Sequence, residues 1–210
     1  MRRIVVLLVG LCFALRCHAQ QPNDLREFRI GQRVQELPAH GYIHIRCTDV
    51  PSVALSNWQD YSRCPPDTRR LHAVTIEYDS SENPLALTND SYEGTRVAGQ
   101  PVQLALLISD DSHVGGIQIR TDPNARLYLR KKAFLFGLQA RARYGADGWS
   151  CSEGKPSLDE EPVGGVFIKE HCEKSTSTRH LIVERQLYRP RQKTLQDFIG
   201  LSTLLILPAE

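Results

Sequence analysis

Asp110-Asp111-Ser112-His113 puts two carboxylates, a hydroxyl and an imidazole in consecutive positions, the side chains of acid–base chemistry. That chemistry needs carboxylates held apart with displaced pKa values. A tight turn in water has the same composition and meets neither condition, so the segment is read as a turn. His40 and His44 are four apart and would share a face as a metal pair. Pro38, Ala39 and Gly41 put His40 in a turn, however, and no Cys-x-x-Cys or third ligand lies close by. Both are read as surface histidines, and His171 as the neighbour of the half-cystine Cys172. No metal site and no cofactor are predicted. Asp159-Glu160-Glu161 reads as a solvated loop.

Arginine offers a further candidate. Wound as a helix at about 100° per residue, the segment from Pro123 to Tyr144 sets Arg126, Arg130 and Arg141 on one stripe with Gly137. A planar guanidinium fork suits a carboxylate or a phosphate, which makes these three the candidate ligand-binding residues. The competing reading leaves them solvated, their stems covering apolar neighbours. The same helix carries two apolar arcs, one of Leu127, Phe134, Leu135, Leu138 and Ala142, the other of Leu129, Ala133, Phe136 and Ala140. One arc packs inward and the other fills a groove or meets a second surface.

The signatures of common enzymes are missing: there is no Gly-x-Ser-x-Gly, no His-Glu-x-x-His and no phosphate-cradling glycine loop. Catalytic triads also assemble from distant positions. His44, His72 and Trp149, in or near ordered strands, are where a non-local hydrolase site would be sought.

The N-terminus reports a compartment. Arg2 and Arg3 precede an apolar run from Ile4 to Leu15, and Cys17-His18-Ala19 ends on the small-x-small pattern of a signal-peptide cut. Twelve residues of helix span about 18 Å, too little for a bilayer core. Residues 1–19 are expected to leave, and residues 20–210 to form one globular α+β domain with a single core or two small lobes. Loss of Arg2, Arg3 and Arg16 from the 26 lysines and arginines leaves 23 against 24 acids, a formal charge of −1. Such a chain has no electrostatic footprint for nucleic acid. Cys12 and Cys17 leave as well. The remaining four cysteines are expected to close two local loops, Cys47 with Cys64 and Cys151 with Cys172. The place of work is then the periplasm or the extracellular space, with no membrane span after cleavage.

The elements that must position these groups follow from pattern. Residues 20–28 are polar and read as loose. Gly41–Cys47 alternates, with Ile43, Ile45 and Cys47 on one face; Leu71–Tyr78 alternates with His72, Val74, Ile76 and Tyr78 together. Val102–Ser109 is apolar on both faces, the mark of a central strand. Val114–Arg120 returns across the Asp110–His113 turn, with Gly115-Gly116 at a bulge. Asp122 and Pro123 open a helix that runs to Tyr144 and stops at Gly145; its 22 residues would reach about 33 Å. Phe134 is expected to bury against Val102–Ser109. Val163–Glu170 and His180–Tyr188 read as an antiparallel pair, and Leu201–Leu207 as a last buried strand or helix end. Asn89-Asp90-Ser91 matches the N-glycosylation pattern. The fold class is therefore α+β, a mostly antiparallel sheet packed on one long helix with two disulfide-closed loops.

Near-neutral charge, stapled loops and missing catalytic motifs lean towards an exported, non-catalytic binding or interaction module for a protein or polysaccharide partner. The alternatives are a secreted hydrolase and a carrier of a small anion on the arginine stripe. A deep cavity with converging polar groups would favour the alternatives, a flat apolar patch the first reading.

Overall fold

A computed structural model of the chain describes residues 23–79, 81–82 and 95–209. The signal-peptide cut and the Asn89-Asp90-Ser91 pattern lie outside the described residues. The strands, in chain order, are β1 (Tyr42–Cys47), β2 (Leu71–Tyr78), β3 (Arg96–Val97), β4 (Gln100–Ser109), β5 (Val114–Thr121), β6 (Ser150–Glu153), β7 (Glu160–Glu161), β8 (Ile168–Ser175), β9 (Arg179–Pro190) and β10 (Ile199–Pro208). Two helices, α1 (Leu127–Lys131) and α2 (Phe134–Arg143), join β5 to β6.

β4 is buried on both faces and pairs on both edges, with β2 and with β5. The β4–β5 hairpin turns at Asp110–His113, and its register shifts opposite Gly115, as the glycine pair implies. The main strands follow one another in space as β1-β2-β4-β5-β10-β9-β8-β6, every pair antiparallel. Each half of the chain is thus an up-and-down meander, and the last strand of each meets the other at the β5–β10 seam. The C-terminal stretch is a strand in mid-sheet, a non-local placement.

This topology explains the helical crossover. β5 lies at the centre and β6 at the far edge, so the connection must pass over β10 and β9, and α2 packs on those two strands. One continuous helix from residue 123 to 144 does not form. Asp122 instead accepts from the Asn124 amide at 2.9 Å in a turn, α1 starts at Leu127, and tight i→i−3 bonds at Ala133, Leu135 and Phe136 interrupt the regular winding. The break falls where the backbone comes down on the sheet: a Cβ on Gly200 of β10 would stand 2.2 Å from the Arg130 carbonyl oxygen. The helix does end at Gly145, whose φ is +88°.

The inward face also differs from the expected one. Phe136, Ala133, Gly137 and Ala140 are buried, whereas Phe134 is only half-buried and Leu127 and Leu138 are exposed. The small side chains of the narrower arc let α2 approach β9 closely; a Cβ on Gly137 would lie 2.5 Å from Arg185 Cγ. Phe134 therefore does not pack on β4, and Phe136 takes the buried position over β9 and β10.

Under the first half, the same face is covered by residues 23–37 and by the 3-10 turn Trp58–Arg63. Phe28 is fully buried, with ring centroids 6.1 Å from Trp58 and 5.8 Å from Tyr42. The segment read as loose is thus ordered from Asn23 onward. β1 departs from strict alternation: a register shift between Ile43 and Arg46, with His44 at φ 53°, leaves Ile43 exposed while Tyr42 and Cys47 turn inward. Val163–Val166 is a tight turn through Gly164 and Gly165, so the strand expected at Val163–Glu170 is displaced to Ile168–Ser175.

Both disulfides form as paired above, Cys47–Cys64 and Cys151–Cys172, across sequence separations of 17 and 21. Loops of this size remove about 3 kcal/mol of unfolded-state entropy each in the chain-entropy model. Two disulfides fit an exported, disulfide-stabilised protein. Among the described residues no helix is long and apolar enough to cross a membrane.

Candidate functional site

The residues singled out for acid–base chemistry are spread over the sheet and engaged elsewhere. His72 is buried on β2, with Nδ1 2.6 Å from the Cys64 carbonyl oxygen and Nε2 2.9 Å from Asp110 Oδ1. Both ring nitrogens are thereby engaged by structural partners. The His72 hydrogen bond, with Arg70 alongside, holds the Asp110 carboxyl below the usual aspartate range. The assembly ties the Cys47–Cys64 loop to the β4–β5 turn. Ser112 Oγ pairs with Tyr61 Oη at 2.9 Å, and His113 Nδ1 lies 2.9 Å from the Asp111 carbonyl oxygen. His44 is exposed and 3.1 Å from Glu77, while His40 sits in the bend before β1. Trp149 donates to the Gly145 carbonyl at 2.8 Å beyond α2. His44 is on the edge strand β1 and Trp149 just precedes the opposite edge strand β6, so they do not meet.

Of the arginine stripe, Arg126 stands at the N-cap of α1. Arg130 donates to the Phe198 carbonyl at 2.5 Å, its guanidinium carbon 4.9 Å from that ring's centroid. Arg141 reaches Glu170 at 3.2 Å; Glu170, almost buried, also takes both arms of Arg185 at 2.5 and 2.7 Å. The Arg185 fork keeps the Glu170 carboxyl below its ordinary value. Glu170, Cys151 and Cys172 lie close enough to resemble a metal group, but the two sulfurs are bonded to each other and the carboxylate is held by two arginines.

The concavity with converging polar groups lies elsewhere, over the β5–β10 seam, with a volume of about 720 Å³. Its floor is apolar: Ile119 and Leu204, paired across the seam, with Phe136 and Ala140 of α2 on one side and Leu25 and Val97 on the other. Its rim carries Arg26, Arg96, Arg143, Gln139, Asp24 and Tyr144. Asp24 is the one acid among these described lining residues, and Arg179 takes it in a fork at 2.5 and 2.9 Å. Beyond that ion pair a second hollow of about 300 Å³ shares Asp24, Arg143 and Tyr144. Burial raises the Tyr144 phenol, which stays neutral at the cleft edge.

Arg26 is the residue most firmly set. Leu25 and Phe28 exchange backbone hydrogen bonds of 3.1 and 2.8 Å around a two-residue turn. Arg26 occupies its first central position at φ 50°, where glycine is usual and another residue costs about 1–3 kcal/mol. Its guanidinium lies 4.2 Å from the Tyr78 ring centroid and donates through Nη2 to the Arg96 carbonyl at 2.7 Å. Nη1 is buried with no hydrogen-bond partner among the described residues. Burial, with Glu27 beside both, pushes the Tyr42 and Tyr78 phenols far up, so both remain neutral.

Neither Arg26 nor Arg143 stood out in the sequence. Arg143 lies off the 126–130–141 stripe, and Arg26 falls in the polar stretch read as loose. The available signal was the flanking Leu25, Phe28 and Ile30, apolar residues that an unstructured leader has no reason to carry. Compared with protein-family models, curated proteins and solved structures, the chain matches none.

Proposed function

We propose that the protein is an exported, non-catalytic binding module whose cleft over the β5–β10 seam takes an amphiphilic anion, an apolar body with a carboxylate or phosphate head. The observation that carries this reading is the pairing of an apolar floor with three lining arginines, Arg26, Arg96 and Arg143, of which Arg26 is held in a strained backbone conformation. Strain of that kind persists where surrounding structure imposes it, and it collects at ligand clamps. A volume of about 720 Å³ falls within the size range of small-molecule sites. The non-catalytic part of the reading rests on His72 and Ser112, whose polar atoms are spent on structural partners. The anion-carrier idea is thereby kept and moved from Arg126, Arg130 and Arg141 to Arg26, Arg96 and Arg143.

The test is calorimetric titration of the mature protein with dodecanoate and, as a charge control, dodecyltrimethylammonium. Dodecanoate is expected to bind at one equivalent and the cation not to bind. Arg26→Gly relieves the backbone strain, so it should leave the melting temperature nearly unchanged. Loss of one charged hydrogen bond should weaken dodecanoate roughly tenfold or more. Equal binding of both amphiphiles, or of neither, would overturn the reading.

A further inference from the structure

The two disulfides meet solvent unequally, a difference independent of the cleft. Cys47 and Cys64 are both buried, in the apolar cluster that includes Trp58 and Tyr61. Cys172 is fully buried as well, but its partner Cys151 is exposed, as is every residue of β6. β6 has four residues and lies at the edge of the sheet, paired with β8 alone, with Cys151 directly opposite Cys172. The Cys151 end can be approached without opening the fold, and neither end of Cys47–Cys64 can. The surroundings also favour Cys172 as the sulfur that leaves. Glu170 offers a carboxylate oxygen within 4.8 Å of both sulfurs, and Arg185 grips it at 2.5 and 2.7 Å and Arg141 at 3.2 Å. Two guanidiniums against one carboxylate make this cluster net positive, which stabilises a departing thiolate.

We propose that Cys151–Cys172 is a thiol–disulfide exchange site, attacked at Cys151 by the thiolate of a dithiol or of a small thiol, and that its opening frees β6. The incoming sulfur bonds to Cys151 Sγ, the bond to Cys172 breaks, and its electron pair leaves on Cys172 Sγ, which takes a proton from water. With a dithiol, the second thiolate attacks the partner's own sulfur in the mixed disulfide and releases Cys151 as a thiolate, protonated in turn. The partner ends as a disulfide and the protein as two thiols, so two electrons pass from one to the other. Once the bond is open, β6 is held by its ladder to β8 and by the Gly154 amide on the Lys169 carbonyl at 2.7 Å. A short, exposed set of bonds of this kind opens locally. The end of α2 is secured separately: Lys174 Nζ donates to the carbonyls of Tyr144, Gly145 and Asp147 at 2.6, 3.1 and 2.7 Å. Loosening is therefore confined to β6 and the loop that follows it. Cysteine spacing pairs the four residues but does not rank the two bonds, because the difference comes from edge placement and from Arg141 and Arg185.

The experiment treats the folded mature protein with dithiothreitol for increasing times, alkylates free thiols with iodoacetamide and maps them by mass spectrometry. Cys151 and Cys172 should be alkylated together, about tenfold or more faster than Cys47 and Cys64. Brief exposure to reduced glutathione, quenched with acid, should leave the mixed disulfide on Cys151 and not on Cys172. After selective reduction, hydrogen exchange should quicken at residues 150–153 while the amides of α2 keep their protection. These readouts need no variant to fold. Reduction of Cys47–Cys64 first or at the same rate, resistance of both bonds in the folded protein, or glutathione on Cys172 would overturn the exchange site. Unchanged protection of β6 after selective reduction, or loss of protection throughout α2, would overturn its confined release.

Discussion

Gly137→Ala probes how closely the crossover helix lies on the sheet, because two effects of opposite sign meet at one atom. In the middle of an exposed helix this change stabilises by about 1 kcal/mol through propensity. Here the added Cβ would stand 2.5 Å from Arg185 Cγ, 2.6 Å from Cδ and 3.2 Å from Val183 Cγ1. The obstructing atoms are the stem of a side chain whose head is forked onto Glu170 at 2.5 and 2.7 Å, so the stem cannot swing away without loosening a nearly buried ion pair. Displacement and loosening are one event, costing about 2–4 kcal/mol, and the net expectation is a loss of about 1–3 kcal/mol. Urea unfolding followed by tryptophan fluorescence can measure it, since Trp58 is buried in the first half and Trp149 sits beside the end of α2. The decisive comparison is a double-mutant cycle with Arg185→Ala. With the stem gone the methyl group fits, and Gly137→Ala should turn neutral or stabilising, a coupling of about 2–3 kcal/mol. If Gly137→Ala alone stabilises the protein, or the coupling is below about 0.5 kcal/mol, α2 does not approach β9 as described.

Gly200→Ala should be harsher, because its Cβ would meet the Arg130 carbonyl oxygen at 2.2 Å and backbone cannot rotate aside; a loss above about 3 kcal/mol is expected in the same melts, at the upper end for overpacking. Phe136→Ala should cost about 3–5 kcal/mol and Phe134→Ala clearly less, the reverse of the order expected from the width of the helix arcs; equal losses would contradict the burial described. Glu170 titrates below its ordinary value because Arg185 grips it, so its contribution to stability is whole above the unfolded glutamate pKa of about 4.3 and fades as pH falls below it. The gap in unfolding free energy between wild type and Glu170→Gln should therefore narrow steadily in acid, and a gap that widened would refute the assigned direction.

What was legible in the sequence was local. The β4–β5 hairpin could be read because its apolar run, turn residues and glycine bulge lie within one stretch of chain, and the cysteine pairs because each closes a short loop. The β8–β9 pair was legible in kind, although its first strand starts five residues later than expected because Gly164 and Gly165 bend the chain first. The β5–β10 seam was not legible, since nothing in Leu201–Leu207 specifies which of several strands it should join. The helix misled for a physical reason. Hydrophobic arcs report which residues prefer burial, but Gly137 and Gly200 report how near two backbones can come, and close approach selected the narrower arc. The cleft escaped notice because its rim draws on residues 24–26, 96 and 139–144, which only the tertiary fold brings together.

The strand order gives the two cysteine-containing halves of the chain related but unequal places. Cys47 on β1 and Cys151 on β6 hold equivalent places, each on the first strand of its meander and at an outer edge of the sheet. Their partners do not. Cys64 lies in the loop before β2, held by His72, whereas Cys172 is on β8 directly opposite Cys151. The difference follows from how each half covers its apolar face. The first half folds its own loop and residues 23–37 over the sheet, so its disulfide must secure that loop, with Trp58 and Tyr61 packed beneath. The second half is covered by the crossover helix, which arrives from the centre, and its disulfide is left to fasten the edge strand. A topologically symmetric sheet thus carries two unlike covers. They meet above the β5–β10 seam, where Leu25 and Arg26 belong to one and Phe136, Ala140 and Arg143 to the other. The cleft is the gap between them. Its floor is apolar because it is exposed core, and its rim is cationic because both covers end there in arginine.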